Sequence, residues 1–187
     1  ISNINRMKII AVIFLFFLVG GIAFLFAWNQ QDSISASSPS AQLSIGDLAP
    51  KFALKDQDGK IRKLSDYSGQ RVVIYFFPKA DTPGWTKEAC GFRDIYGKYK
   101  REKIIVFGIN YDSPKALKKF KTKYRLPFDF LSDYKKEVAL KYGAAGLAWP
   151  KRMTFIIDKD GRIEKIYNKV NVNTHAEKIL DDLLGKK

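Results

Sequence analysis

The sequence predicts one α/β domain with a mixed β-sheet, preceded by a single apolar helix. Three observations lead there. Ile9 to Trp28 (IIAVIFLFFLVGGIAFLFAW) carries no charge, and about twenty such residues make a helix of roughly 30 Å, enough to cross a bilayer core. From Ser44 onward, short β-branched and aromatic runs alternate with segments of helical periodicity, the pattern of a sheet flanked by helices. Late in the chain, MTFIIDKDGRIEKIY (153–167) doubles back at Asp160-Gly161, adding an antiparallel hairpin that makes the sheet mixed.

The organisation follows in order. Residues 1–8 form a short basic segment and 9–28 a transmembrane anchor. A cleaved signal sequence is the competing reading, and it would leave the domain secreted. The apolar run exceeds the usual 7–15 residues of a signal core and no small-x-small site follows closely, which favours the anchor. Arg6 and Lys8 precede the run and Asp32 is the first charge after it, so the positive-inside rule puts the domain on the extracytoplasmic side. Residues 29–43 (NQQDSISASSPSAQL) are polar and serine-rich, a flexible linker. Residues 44–187 remain for one domain of ordinary size.

Within that domain, KFALKDQDGKIRK (51–63) reads as a hairpin around Asp58-Gly59, and RVVIYFF (71–77) as a buried central strand closed by Pro78. A helix is expected from about Pro83 through EACGFRDIYGKYK, then a strand at 104–109. Ser113-Pro114 supplies an N-cap and an N1 proline for a helix to Tyr124. A short strand at FDFLSD, a helix at KKEVALKYG ended by Gly143, and the 153–167 hairpin follow. Thr174 with Glu177 predicts a capping box for a last helix through Leu184, with His175 on its surface. This order of elements is what a thioredoxin-like fold requires.

Composition narrows the function. With 46% hydrophobic and 28% charged residues the chain is a normal globular one. Its net charge is +14, of which Arg6 and Lys8 supply two, leaving +12 beyond the span. In KALKKFKTKYR (115–125) the lysines interleave with Leu117, Phe120 and Tyr124 at helical spacing, which marks a solvated helix face. No nucleic-acid partner is expected, while anionic headgroups beside the anchor could be attracted. A single cysteine, Cys90, and a single histidine exclude an intramolecular disulfide and a CxxC pair and leave little for a metal site; no cofactor is implied.

The chemistry-bearing stretch is the strand-to-helix turn. First-turn N–H groups of a helix are unpaired and their field favours an anion, so a cysteine there would be held as thiolate. Position 85, where that cysteine would sit, is a tryptophan.

The segment YFFPKADTPGWTKEACGFRD resembles the active-site segment of the Q-type peroxiredoxins, also called bacterioferritin comigratory proteins. The likeness runs from about Leu43 to the C-terminus through GDLAPKFALKDQDGK, VVIYFFPKADTPG, FGINYDSP and MTFIIDKDG. The resemblance implies a thioredoxin-like fold, a hydroperoxide substrate, a thioredoxin-type reductant, and a monomer. It maps the Pro-x-x-x-Thr-x-x-Cys pattern onto Pro78, Thr82 and Trp85, the last in place of the peroxidatic cysteine. It further implies that Thr82 holds the peroxide, that Arg152 of WPKRMTFIID polarises it, and that Cys90 occupies the resolving position. Indole can neither attack an O–O bond as a thiolate nor become a sulfenic acid, so the covalent route is expected to be lost. Cys90 lies five residues on, roughly 7–8 Å along the helix axis and off the face of residue 85, and is not expected to replace it. The alternatives are a non-catalytic binding module on the same fold, with Trp85 as an aromatic contact, and a thiol-disulfide oxidoreductase, which the missing CxxC disfavours.

Overall fold

A computed structural model of the chain describes residues 42–81 and 83–185, the side chains of Pro83 and Trp85 excepted. The predicted span at 9–28, most of the linker, and Thr82 lie outside the described residues. Among the described residues no helix is long and apolar enough to cross a membrane.

Among the described residues, seven strands form one sheet in the order β2-β1-β5-β4-β3-β6-β7. They are β1 (Ala53–Asp56), β2 (Ile61–Lys63), β3 (Val72–Phe76), β4 (Ile105–Asn110), β5 (Asp129–Ser132), β6 (Met153–Ile157) and β7 (Ile163–Tyr167). The helices are α1 (Pro83–Arg101), α2 (Pro114–Lys123), α3 (Glu137–Lys141) and α4 (His175–Leu184). β3 runs parallel to β4, which runs parallel to β5; β6 and β7, and β1 and β2, join antiparallel. The mixed α/β, thioredoxin-like architecture expected from the sequence is therefore present.

Because side chains alternate along a strand, β3 divides its residues between two cores. Val73, Tyr75 and Phe77 pack with Phe92 and Tyr99 of α1, Leu117 and Phe120 of α2, and Ile179 and Leu180 of α4. Val72, Ile74 and Phe76 pack on the other face with Val138 and Ala139 of α3 and with Phe155 and Ile157. All five β3 residues, and Phe77 just past the strand, are buried, which explains why the stretch reads as one continuous apolar run. The lysine-rich α2 buries Leu117 and Phe120 and turns Lys115, Lys118, Lys119 and Lys123 outward, and the Ser113 hydroxyl before it accepts from the Ala116 N–H at 3.3 Å. Both features match the sequence expectation.

Three expectations need correction. α3 is shorter than the 135–143 segment because Lys136 adopts a left-handed conformation (φ 63°) that no helix can run through. Thr174 makes no side-chain capping bond, its backbone lying at φ −128° and ψ 3°, outside the extended geometry an N-cap needs. His175 is not a surface residue: it is 3% exposed. Its ring is enclosed between Phe92 and Tyr167, since α4 docks on α1 closely enough that the Tyr99 hydroxyl donates to the Ala176 carbonyl at 2.6 Å.

Candidate active site

Strand register builds the site. β6 is antiparallel to β3 with Met153 opposite Phe76, so the residue before β6, Arg152, falls beside the end of β3 where Phe77 and Pro78 leave the sheet. From there the chain turns directly into α1. A Cβ placed on Gly84 would lie 3.8 Å from Arg152 Nη2, which sets the guanidinium against the first turn of that helix, one residue from Trp85. Pro78 and Arg152 line an open hollow of about 450 Å3 with the 146–151 segment.

The turn between β3 and α1 is pinned from neighbouring elements. Asp112, just past β4, accepts from the Ala80 N–H at 2.8 Å and from Asn110 Nδ2 at 2.6 Å. Asp81 sits at φ 63°, an uncommon conformation for a side-chain-bearing residue. It accepts from Lys123 Nζ at 2.7 Å and from the Tyr124 hydroxyl at 2.5 Å, and these bonds hold its carboxyl below the usual range. Ala80 and Asp81 are thus tied to the ends of β4 and α2.

Behind the guanidinium lies a buried polar cluster that sequence reasoning missed. Glu88, one turn into α1, is 2% exposed; burial pushes its carboxyl up to about 7, against the attraction of Arg152. Its Oε1 is 4.0 Å from His175 Nε2, while its Oε2 has no hydrogen-bond partner. The same imidazole nitrogen is 2.8 Å from Thr154 Oγ1. Burial, then the positive charges of Arg152 and Lys178, depress His175 to about 4. Near pH 6 the pair is therefore a neutral carboxylic acid beside a neutral imidazole. Burial lowers the basicity of Arg152, and Glu88 opposes that shift. A signal was available: Glu88 lies in phase with Ala89, Phe92 and Tyr99, the buried stripe of α1, where a charged residue needs a reason.

Of the sequence-predicted site residues, the structure brings Pro78, Arg152 and the helix start bearing Trp85 together. Cys90 is half-buried further along α1, within electrostatic reach of Arg93 and Tyr75. Thr82 falls outside the described residues. A strand end, a helix N-terminus and a guanidinium converging on an open hollow can bind a small polar group and stabilise negative charge on it.

Comparison with known proteins fits this geometry. The model of the AhpC/TSA family matches residues 45–166. A putative peroxiredoxin bcp of Coxiella burnetii is 40% identical over 149 residues, which cover 75% of this chain and 99% of that protein. The chloroplastic peroxiredoxin Q of Gentiana triflora is 42% identical over 147 residues, covering 77% of this chain and 66% of the plant protein. The crystal structure of peroxidoxin BcpB from Mycobacterium tuberculosis matches with a TM-score of 0.73 at 35% identity, over 78% of this chain and 99% of that one. A mutant of Xylella fastidiosa PrxQ matches with a TM-score of 0.74 at 27% identity, over 78% and 98%.

Proposed function

The chain belongs to the AhpC/TSA family, and from that premise we propose that it is a Q-type peroxiredoxin whose hydroperoxide-reducing reaction is disabled at residue 85. One observation carries the reading. The first turn of α1, where Arg152 lies against Gly84, bears tryptophan where the motif matches the family's nucleophilic cysteine.

The reaction the scaffold supports begins with a thiolate at residue 85. Its sulfur attacks one peroxide oxygen, the O–O bond breaks, and the leaving oxygen departs as alkoxide or hydroxide and takes up a proton. Arg152 and the helix N-terminus stabilise that developing charge, and Thr82 orients the peroxide. The resulting sulfenic acid condenses with the Cys90 thiol to a disulfide and water, and a thioredoxin-type dithiol returns the disulfide to two thiols. Indole has no lone pair that can attack and accept oxygen in this way, so the sequence of steps has no start. Arg152 and Thr82 would stabilise a transition state that lacks its attacking atom.

The test is the Trp85→Cys variant. The full chain and the variant are assayed for consumption of hydrogen peroxide and an organic hydroperoxide with thioredoxin and its reductase. Turnover only in Trp85→Cys is the expected result. Turnover by the unaltered chain at the variant's rate refutes the reading, and inactivity of both favours a non-catalytic binding module on the same fold.

The apolar run at 9–28, with Arg6 and Lys8 before it, supports a membrane-held chain whose domain faces away from the cytoplasm. Protease added to intact spheroplasts should then cleave the domain; protection would overturn the orientation.

A further inference from the structure

The loop leading into Arg152 lines the site hollow and also turns large apolar side chains to the outside. Among the described residues, eight large hydrophobic side chains are exposed, and four of them, Tyr134, Leu140, Leu147 and Trp149, fall between residues 134 and 149. Leu147 is 98% exposed and Trp149 56%. The loop is built to hold these two outward. The Lys151 N–H donates to the Ala144 carbonyl at 2.8 Å, and Lys136 Nζ donates to the Leu147 carbonyl at 2.7 Å. A Cβ on Gly146 would collide with the Trp149 carbonyl oxygen, so the tip closes as tightly as glycine alone permits. A tip fixed in advance loses little conformational entropy on meeting a surface.

Its surroundings indicate which surface. Lys135, Lys136, Lys141 and Lys151 are all exposed, and Glu137 is the one acidic residue from 134 to 157. A leucine and a tryptophan at a tip flanked by lysines match a bilayer interface, where indole sits at headgroup level and lysines meet anionic lipid. The point of entry of the chain agrees. Gln42 and Leu43 line a hollow of about 570 Å3 with Lys151 and Arg152, so the linker reaches the domain at the edge that carries this loop.

We infer that the 144–152 loop docks the domain on an anionic bilayer surface, with Leu147 and Trp149 entering the interfacial layer and the flanking lysines meeting headgroups. The inference rests on the reading of 9–28 as a membrane anchor. On that surface the hollow shared by Pro78 and Arg152 opens at the lipid interface.

The experiment uses the full chain with Cys90→Ala and Leu147→Cys, labelled with nitrobenzoxadiazole at the new thiol. It is reconstituted into vesicles of phosphatidylcholine alone or mixed equally with phosphatidylglycerol. Glu102→Cys, labelled in the same way, is the control: it lies past the far end of α1, about 27 Å from the Arg152 end. Blue-shifted, brighter emission at residue 147 in the anionic vesicles is expected. It should weaken in phosphatidylcholine or at about 1 M salt, where charges are screened beyond about 3 Å, while residue 102 stays water-like throughout. Water-like emission at 147 from chains that float with the anionic vesicles overturns the docking alone. Chains that do not float overturn the anchor reading and this inference with it. A shift at 147 that appears only on adding an unlabelled second copy, or only with a thioredoxin-type protein, assigns the tip to that partner and also overturns it. No peroxide is turned over, so the outcome is independent of the Trp85→Cys assay.

Discussion

Replacing Glu88 by glutamine should tilt the pH dependence of folding stability, and the direction follows from the two buried groups that face each other behind Arg152. Glu88 is raised from 4.5 to about 7. Its contribution to stability is intact below pH 4.5, declines as the unfolded chain ionises and the folded one does not, and is lost by about pH 7. His175 is lowered from 6.5 to about 4. Its contribution is intact above pH 6.5 and is lost as pH falls towards 4, because the unfolded chain takes up a proton that the folded one refuses. At about 1.4 kcal/mol per pKa unit, each group spans on the order of 3 kcal/mol. Between pH 4.5 and 6.5 the slopes oppose each other, so the pair as a whole holds stability nearly level there.

Glu88→Gln removes one slope and leaves the other. The variant should match the parent near pH 4, gain stability up to pH 6.5 from His175 alone, and exceed the parent by up to about 3 kcal/mol above pH 7. Denaturant unfolding of both chains across this range, followed by circular dichroism, measures the difference. Parallel profiles would refute the assignment of Glu88 as a buried, proton-holding acid, and so would a Glu88→Gln chain less stable than the parent above pH 7.

Two further predictions concern the frame of the site. Asp112→Ala removes the acceptor for the Ala80 N–H and for buried Asn110; it should cost about 1–3 kcal/mol, speed hydrogen exchange at Ala80, and reduce peroxide turnover in a Trp85→Cys background. Gly108→Ala places a Cβ 2.7 Å from Phe130 Cδ1 and 2.9 Å from the Tyr75 hydroxyl oxygen, at the centre of the sheet, and should lower the denaturation midpoint by an amount equivalent to about 1–3 kcal/mol.

What the sequence made legible was whatever is written in local period. β3 is a run of apolar residues, α2 has its Ser113-Pro114 start, and both hairpins carry Asp-Gly turns, with Gly59 at φ 82° and Gly161 at φ 78°. The burial of His175 could not be read in this way. Asn173, Thr174 and Glu177 around it are polar, and its environment is supplied by Thr154, Glu88 and Phe92, residues 21 to 87 positions away. The capping box at Thr174 failed for a related reason: α4 is held by packing on α1, not by its cap. Arg152 was located by motif likeness, since nothing local separates it from Lys151; only the β3–β6 register shows why it reaches the helix start.

That register also bears on how the loss proposed at residue 85 would leave the rest of the site in place. Pro78 is fixed by the end of β3, Arg152 by the pairing of Met153 with Phe76, and the intervening turn by Asp112 and by Lys123 and Tyr124 on Asp81. None of these restraints passes through the side chain at residue 85. These restraints come from main-chain pairing and from residues at or just past the ends of β4 and α2, so on the proposed reading a change confined to residue 85 would remove the reacting atom and leave them in place. The same separation applies to the 144–152 loop, whose internal bonds run between Ala144, Lys151, Leu147 and Lys136. A sulfur at residue 85 tests the first proposal and lipid docking of the loop the second; because Leu147 and Trp149 line one hollow with Pro78 and Arg152, docking would act on access to the site and not on the identity of residue 85.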